Sequence, residues 1–329
     1  PDGQASDGRE VKQARQSAQK KKAKKPALTG FYASRRGKKH SEYVGQDRPS
    51  RSRGKYPKPR HFSSIPGNIW RNTSVGLVFP LDAIDAGKVA NRADDKAPGK
   101  VTEAPQPIPG KRGGGLKLSG ENNISIPAGG DFTRNQPFSV AIWINTPDFK
   151  DRAVIFHRSR AWTDAGSRGY QLLLEDGRLS ASLIHFWPGN AVRIRMTEPV
   201  ATNQWVHVAL TYDGSSRADG LRLYVDGRCV PCEVVRDNLT KNITGGGATT
   251  LDVGQRFRDR GFKDGLVDEL QVFDRCLTPI EVAQVHDLES LDQLLAKAAS
   301  ELTASQRDQL YDYYLATIDE EYAGAASHL

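Results

Sequence analysis

The sequence predicts an all-β sandwich with a basic segment ahead of it and short helices behind it. Three observations carry that expectation. From Val75 onward, short apolar segments alternate with Gly, Pro, Asn and Asp, the texture of strands joined by turns. About a dozen such segments follow one another with no helical period between them, the pattern of a sandwich rather than of alternating strands and helices. The clearest stretch is 205–227, WVHVALTYDGSSRADGLRLYVDG, where Leu221, Leu223 and Val225 alternate with Arg222, Tyr224 and Asp226. That is the period of a strand with one face in a core.

The expected strands are 76–81, 115–118, 124–126, 138–145, 153–157, 169–175, 178–186, 192–196, 205–212, 221–225, 249–253 and 265–273. Asp176-Gly177 marks a hairpin, because Asp-Gly suits a type I′ turn. In 205–212, Val206, Val208, Leu210 and Tyr212 make one apolar face while Trp205 and Ala209 sit on the other. This strand should be covered on both sides, with Trp205 as a core anchor. The Arg/Gly-rich loops 157–169 and 254–264 are placed on the rim. After Phe273 the period changes. Thr278-Pro279-Ile280-Glu281 is a capping box with Pro at the first helical position, and Ile280, Ala283, Val285 and Leu288 suggest a helix packed back on the sheet. Thr303 to Gln306 repeats the signal and opens a helix through Leu310, Tyr313, Tyr314 and Ile318.

The net charge of +8 is a property of one end. Residues 1–60 hold 18 Lys/Arg against 5 Asp/Glu, and the remainder holds 29 against 34. Residues 1–72, with KKKAKK and RPSRSRGKYPKPR, have too little apolar surface to offset the entropy of ordering. They read as a disordered basic tail or linker, or as a nucleic-acid arm in which Lys/Arg release counterions and Tyr43, Tyr56 and Phe62 stack on bases. Residues 73–290 form the sandwich domain, and 291–329 a helical segment that begins a following domain. No apolar run approaches the roughly 20 residues of a membrane-spanning helix. No signal peptide is visible, and Pro1 in place of Met reads as the start of a fragment or processed piece.

GLVFPLD, PFSVAIWINTP, WVHVALTYDGSSRADGLRLYVDG and GLVDELQVFDRCLTPIEVAQV, in that order across 73–290, resemble the laminin-G-like (LamG-like), concanavalin A-like jelly-roll domain. HRSRAWTDAGSRGYQLLLEDGRLSASLIHFWPGNAVRIR, and VVRDNLT with GQRFRDRGF, are similar to the version inserted in large planctomycete-type multidomain proteins that carry cytochrome-c-like modules. There, a helical region like LTASQRDQLYDYYLATIDEEY follows the jelly roll. The resemblance implies a piece of a larger extracytoplasmic protein, periplasmic or at the cell surface, and implies no particular activity.

Concanavalin A-like folds include glycoside hydrolases, and retaining hydrolysis needs two carboxylates about 5 Å apart. Asp268 and Glu269 are adjacent and point to opposite faces of a strand. The E-x-D-x-(x)-E array of that family's hydrolases, HExxH and GxSxG are all absent. The expectation is therefore a non-catalytic module that binds carbohydrate or another polymer, or docks neighbouring domains; the alternative is a structural spacer. The loop 185–190 is the candidate binding surface. Phe186 and Trp187 are either exposed platforms or core aromatics at a structural corner. As platforms, Trp187 and Trp162 stack on sugar rings, while His185, Asn190, Arg193 and Arg195 bond hydroxyls or acidic groups. By resemblance, Asp82 and Asp268 are candidate ligands of a structural calcium between the first and last strands; otherwise Asp268 bonds the first strand or caps a turn. Cys229 and Cys232 form a lone CxxC followed by Glu233, so neither a haem attachment nor a complete zinc site is specified. Sequons occur at Asn72, Asn123, Asn238 and Asn242.

Overall fold

The computed structural model describes residues 75–127 and 129–319. The tail, linker and nucleic-acid readings of residues 1–72 lie outside the described residues. In chain order the strands are β1 (Val75–Phe79), β2 (Lys88–Val89), β3 (Gly99–Thr102), β4 (Gln106–Pro109), β5 (Gly114–Lys117), β6 (Asn123–Ile126), β7 (Phe138–Asn145), β8 (Arg152–Arg158), β9 (Gly169–Glu175), β10 (Arg178–Phe186), β11 (Asn190–Met196), β12 (Val206–Tyr212), β13 (Leu221–Val225), β14 (Arg228–Cys229), β15 (Cys232–Asn238), β16 (Leu251–Val253) and β17 (Leu266–Phe273). Three helices follow: α1 (Pro279–Asp287), α2 (Ser290–Leu295) and α3 (Ala304–Thr317).

Among the described residues the strands make two sheets that pack as a jelly-roll sandwich. The first sheet has eight strands, in the order β14-β13-β12-β7-β17-β5-β4 with β1 also on β17. The second has nine, in the order β15-β11-β10-β9-β8-β16-β6-β3-β2. Every expected strand is present. Those the sequence did not signal lie mostly at edges. β4 is Gln-Pro-Ile-Pro, tolerable at an edge where Pro leaves no ladder bond unmade, and β15 is exposed along most of its length and so shows no alternation.

The core lies between the sheets. Alternation sends Val140, Ile142 and Ile144 of β7 and Val206, Val208, Leu210 and Tyr212 of β12 into one buried cluster with Leu172, Leu174, Leu183 and Val192 of the second sheet. β12 and β13 pair antiparallel, Leu210 opposite Leu223. On the far side of β12, Ala209 is buried under α1 with Phe273, Val282 and Val285, so the strand is covered on both sides. Trp205 departs from expectation. It stands half-buried just ahead of β12, whose ladder to β7 begins at Val206.

The turns follow their residues. Asp176 and Gly177 have φ of 52° and 70°, and Asp226 and Gly227 have φ of 47° and 76°, two positive values in succession as type I′ requires. Both capping boxes form, at Thr278 with Glu281 and at Thr303 with Gln306. Ile280, Leu291, Leu294, Leu302, Leu310 and Tyr313 join the three helices in one cluster.

Two bulges reset side-chain direction. In β8 the register shifts between Val154 and Phe156, so Ile155 and Phe156 both enter the core and His157 turns outward. In β17 it shifts between Asp268 and Gln271, with Glu269 left-handed at φ 49°. The simple alternation expected for Asp268 and Glu269 is thereby broken, because Glu269 leaves the ladder.

Candidate functional site

Cross-strand partners share a face. The register of the second sheet therefore aligns Lys100, Ser125, Asp252, His157, Gln171, Ser182, Arg193 and Arg236 in one polar row on the face away from the core. His157 belongs to it only through the β8 bulge. Polar residues at successive strands leave that face unable to pack on an apolar layer, and polar loop residues cover its middle instead.

Those loops, 159–168 and 254–265, fold over the sheet rather than standing at its rim. Arg256 is fully buried; its Nη1 donates to Gln171 Oε1 at 2.6 Å and to Ser159 Oγ at 3.1 Å. Its other edge pairs with Asp259. Arg152 donates to Asp259 Oδ1 at 2.6 Å and to Glu175 Oε1 at 2.7 Å. Arg193 Nε donates to Ser182 Oγ at 2.8 Å and its Nη1 to Glu175 at 3.2 Å, while Nη2 is buried with no partner. Burial pushes the Asp259 carboxyl up, but bonds and charges from Arg152 and Arg256 outweigh it and leave it below its ordinary value. Burial lowers the Arg193 guanidinium to about 10, with Arg152 and Arg256 adding to the effect against Glu175.

Two tryptophans roof this network. Trp162 and Trp187 are half-buried with ring centroids 6.4 Å apart. The Arg193 guanidinium lies 3.8 Å from the Trp187 ring and 5.7 Å from Trp162, and Arg152 and Arg256 lie 4.5 and 5.0 Å from Trp162. The structure thus brings together Trp162, Trp187 and Arg193 of the expected set. His185 and Asn190 serve the loop itself. His185 Nδ1 donates to Asn242 O at 2.6 Å, and Asn190 bonds Thr240 and Lys241. Arg195 pairs with Glu233. Arg152, Glu175, Arg256 and Asp259 escaped sequence reasoning, since nothing in their spacing signals that three separate segments converge.

Beyond Arg256 the same face opens into a cleft of about 200 Å³ lined by Asn123, His157, Ser159, Arg160, Thr250, Asp252 and Phe257 among others. His157 Nε2 donates to Gln255 O at 2.9 Å and its Nδ1 accepts from Ser159 N–H at 3.2 Å. Burial, reinforced by Arg256, lowers its pKa to about 4, so it is neutral at pH 7. Asp252 accepts from Ser125, Asn123 and Thr250. The sequon amide of Asn123 is engaged here, and that of Asn238 donates to Gly189 O.

A laminin G family model, that of the concanavalin A-like lectin/glucanases superfamily, matches residues 118–283. The chain belongs to this superfamily. The comparison with curated proteins finds no match. Among solved structures, domain 4 of AbnA, a GH43 extracellular arabinanase from Geobacillus stearothermophilus in complex with arabinotriose, is 20% identical, with a TM-score of 0.43 over 64% of this chain and 97% of that one. The binding domain of Paraclostridial Mosquitocidal Protein 1 is 16% identical, with a TM-score of 0.47 over 64% and 52%. The botulinum neurotoxin serotype G binding domain is 13% identical, with a TM-score of 0.47 over 65% and 50%. The chain spans about half the length of these two toxin domains. Likenesses of this size carry no functional weight.

In this concanavalin A-like domain, Asp82 and Asp268 both brace the glycine loop between β4 and β5. Asp82 accepts from Gly114 N at 2.9 Å and from Arg92 at 2.9 Å. Asp268 Oδ2 accepts from Arg112 N at 2.9 Å, and its Oδ1 is buried without a partner. Gly113 has φ 70°, and a Cβ there would stand 2.5 Å from Asp82 Oδ1, so the loop needs glycine to approach. Among the described residues no group of three or more His, Cys, Asp or Glu is placed to hold a metal ion. With both Asp82 oxygens bonded and Arg92 against one of them, the pair fits loop bracing better than calcium. Burial raises Asp268 to about 6. A raised carboxyl favours the fold while protonated, so its contribution is lost as pH rises from the unfolded value near 4 through about 6. Asp268→Asn is therefore expected to raise the thermal midpoint at pH 7, by a few degrees, and to leave it unchanged at pH 4. A lower midpoint at pH 7, restored in the parent by calcium and removed by chelation, would show the carboxylate holding metal instead.

Cys229 and Cys232 are not disulfide-bonded. Burial raises both thiols, Cys232 to about 12 with Cys229 and Glu233 adding, which makes Cys232 a poor thiolate donor at neutral pH.

Proposed function

We propose that this domain is a non-catalytic binding module, and that the outer face of its second sheet holds a polysaccharide across Trp162 and Trp187. The observation that carries this is the pair of partly exposed rings, 6.4 Å apart and backed by Arg193. Rings held at that spacing over a rigid sheet present apolar faces to sugar rings at little entropic cost. The carboxylates beneath are poor catalysts: Glu175 is paired to Arg152 and Arg193, and Asp259 to Arg152 and Arg256. A glycosidase's general acid needs a raised pKa, whereas that of Asp259 is lowered. In this reading residues 1–72 are a basic linker and 291–329 lead into a following domain, within a larger extracytoplasmic protein.

Trp187→Ala is expected to weaken retention on a polysaccharide array by about tenfold or more, with the circular dichroism spectrum unchanged because the ring lies at the surface, outside the core cluster. Unchanged retention on every polymer the parent binds removes this face from consideration.

A further inference from the structure

The charge on this face narrows the class of polymer, an inference that rests on the binding reading above. Residues 61–329 hold 29 Lys/Arg against 34 Asp/Glu, so the chain beyond its basic first stretch is acidic overall. The outer face of the second sheet runs against that balance. At its centre three guanidiniums, Arg152, Arg193 and Arg256, meet two carboxylates, Glu175 and Asp259. One guanidinium edge, Arg193 Nη2, is left buried and unpartnered in a side chain 7% exposed.

The edge of the face repeats the pattern. Among the described residues Arg160, Arg168, Arg236 and Arg258 pair with no carboxylate, whereas Arg195 and Arg178 nearby are paired to Glu233. These unpaired cations are grouped by the loops. A Cβ on Gly247 would lie 3.5 Å from Arg160 Cδ and one on Gly246 2.8 Å from Arg168 Cβ, so one glycine segment separates the two guanidine stems. Arg258 lies 5.2 Å from the exposed Phe257 ring, and Phe257 O accepts from Trp162 N at 3.1 Å. Arg168 bonds His185, two residues before Trp187, and Arg236 stands opposite Arg193 in the ladder, so these cations lie on the loops and strands that carry the tryptophan pair. A neutral glycan has no use for this surplus, whereas an anion is drawn to the exposed, carboxylate-free side chains of Arg160, Arg236 and Arg258.

We infer that the polymer held here is an acidic polysaccharide, its sugar rings on Trp162 and Trp187 and its carboxylate or sulfate groups on Arg160, Arg168 and Arg258. Arginine forks take either group in two parallel hydrogen bonds. Arg193 contributes from beneath by its charge and by holding the Trp187 ring 3.8 Å away, not by direct contact with the polymer.

The test is titration calorimetry on the full chain with polygalacturonate oligomers, the same oligomers fully methyl-esterified, dextran sulfate, a neutral β-glucan oligomer and a single-stranded oligodeoxynucleotide. Variants are Trp187→Ala and the exposed pair Arg160→Gln/Arg258→Gln. The expected result is binding of polygalacturonate or dextran sulfate, at least tenfold weaker binding of the methyl ester, and a further loss of about three- to tenfold in the arginine variant. Added salt should weaken the acidic ligand selectively. Which of the two acidic probes binds tighter assigns carboxylate or sulfate. Equal binding of acid and ester, sensitive to Trp187, overturns the inference and leaves the binding module standing. Binding insensitive to both variants, or no binding to any probe, overturns both. An oligodeoxynucleotide bound more tightly than the acidic glycans, with the same dependence on Trp187, overturns it in favour of nucleic acid.

Discussion

Asp259→Asn is expected to lower the thermal midpoint by on the order of 10 °C. The carboxylate is 2% exposed and is shared by two guanidiniums, Arg152 and Arg256, the latter fully buried. Removing the charge leaves the buried Arg256 without a counter-charge, while Arg152 keeps Glu175, and breaking a buried pair from one side costs about 3–5 kcal/mol. For a domain of this size each kcal/mol moves the midpoint by about 2–4 °C. The pH profile carries the same signature. The carboxyl is held below its ordinary value, so its stabilisation is present above the unfolded-state value near 4 and is lost as pH falls through the folded one. The parent should lose stability in acid where the variant changes little. Calorimetric scans from pH 3 to 7 would show this, and a midpoint within about 2 °C of the parent at pH 7 would mean that the network contributes nothing net.

Phe138→Ala is expected to cost about 3–5 kcal/mol, a comparable loss from the opposite side of the sandwich. Phe138 is fully buried, stacked on Phe132 at 4.6 Å and tilted against Tyr170 at 4.8 Å and Tyr212 at 5.6 Å. Three aromatic neighbours cannot collapse into the vacated volume without losing their own contacts, so the cavity persists. Denaturant midpoints should fall while the folded protein keeps its affinity for any ligand of the outer face. Phe138→Leu should lose less, since it keeps most of the volume. Equal losses for Leu and Ala would show that ring packing, not volume, holds the site together.

Much of the fold was legible because it is written in local chemistry. Alternation in 138–145 and 205–212, Asp-Gly at 176–177 and the capping boxes at Thr278 and Thr303 each act within a few residues. The candidate site was legible only in part. Trp162, Trp187 and Arg193 could be named from their residue types, but His185 and Asn190 have the same chemistry and are taken up by loop contacts to Asn242 and Thr240. Arg152, Glu175, Arg256 and Asp259 gave no signal, because a charged residue in an isolated strand or loop looks like ordinary solvated surface.

By itself the sequence determined the β-sandwich, the order of its strands along the chain, the type I′ turn at 176–177 and the helix packed back on the sheet, since periodicity and turn chemistry depend on near neighbours alone. Only the tertiary structure decided what lies on the outer face of the second sheet. The row from Lys100 to Arg236 depends on register across eight strands and on a one-residue bulge in β8. A shift of a single residue sends every side chain of a strand to its other face, and no local pattern records that choice.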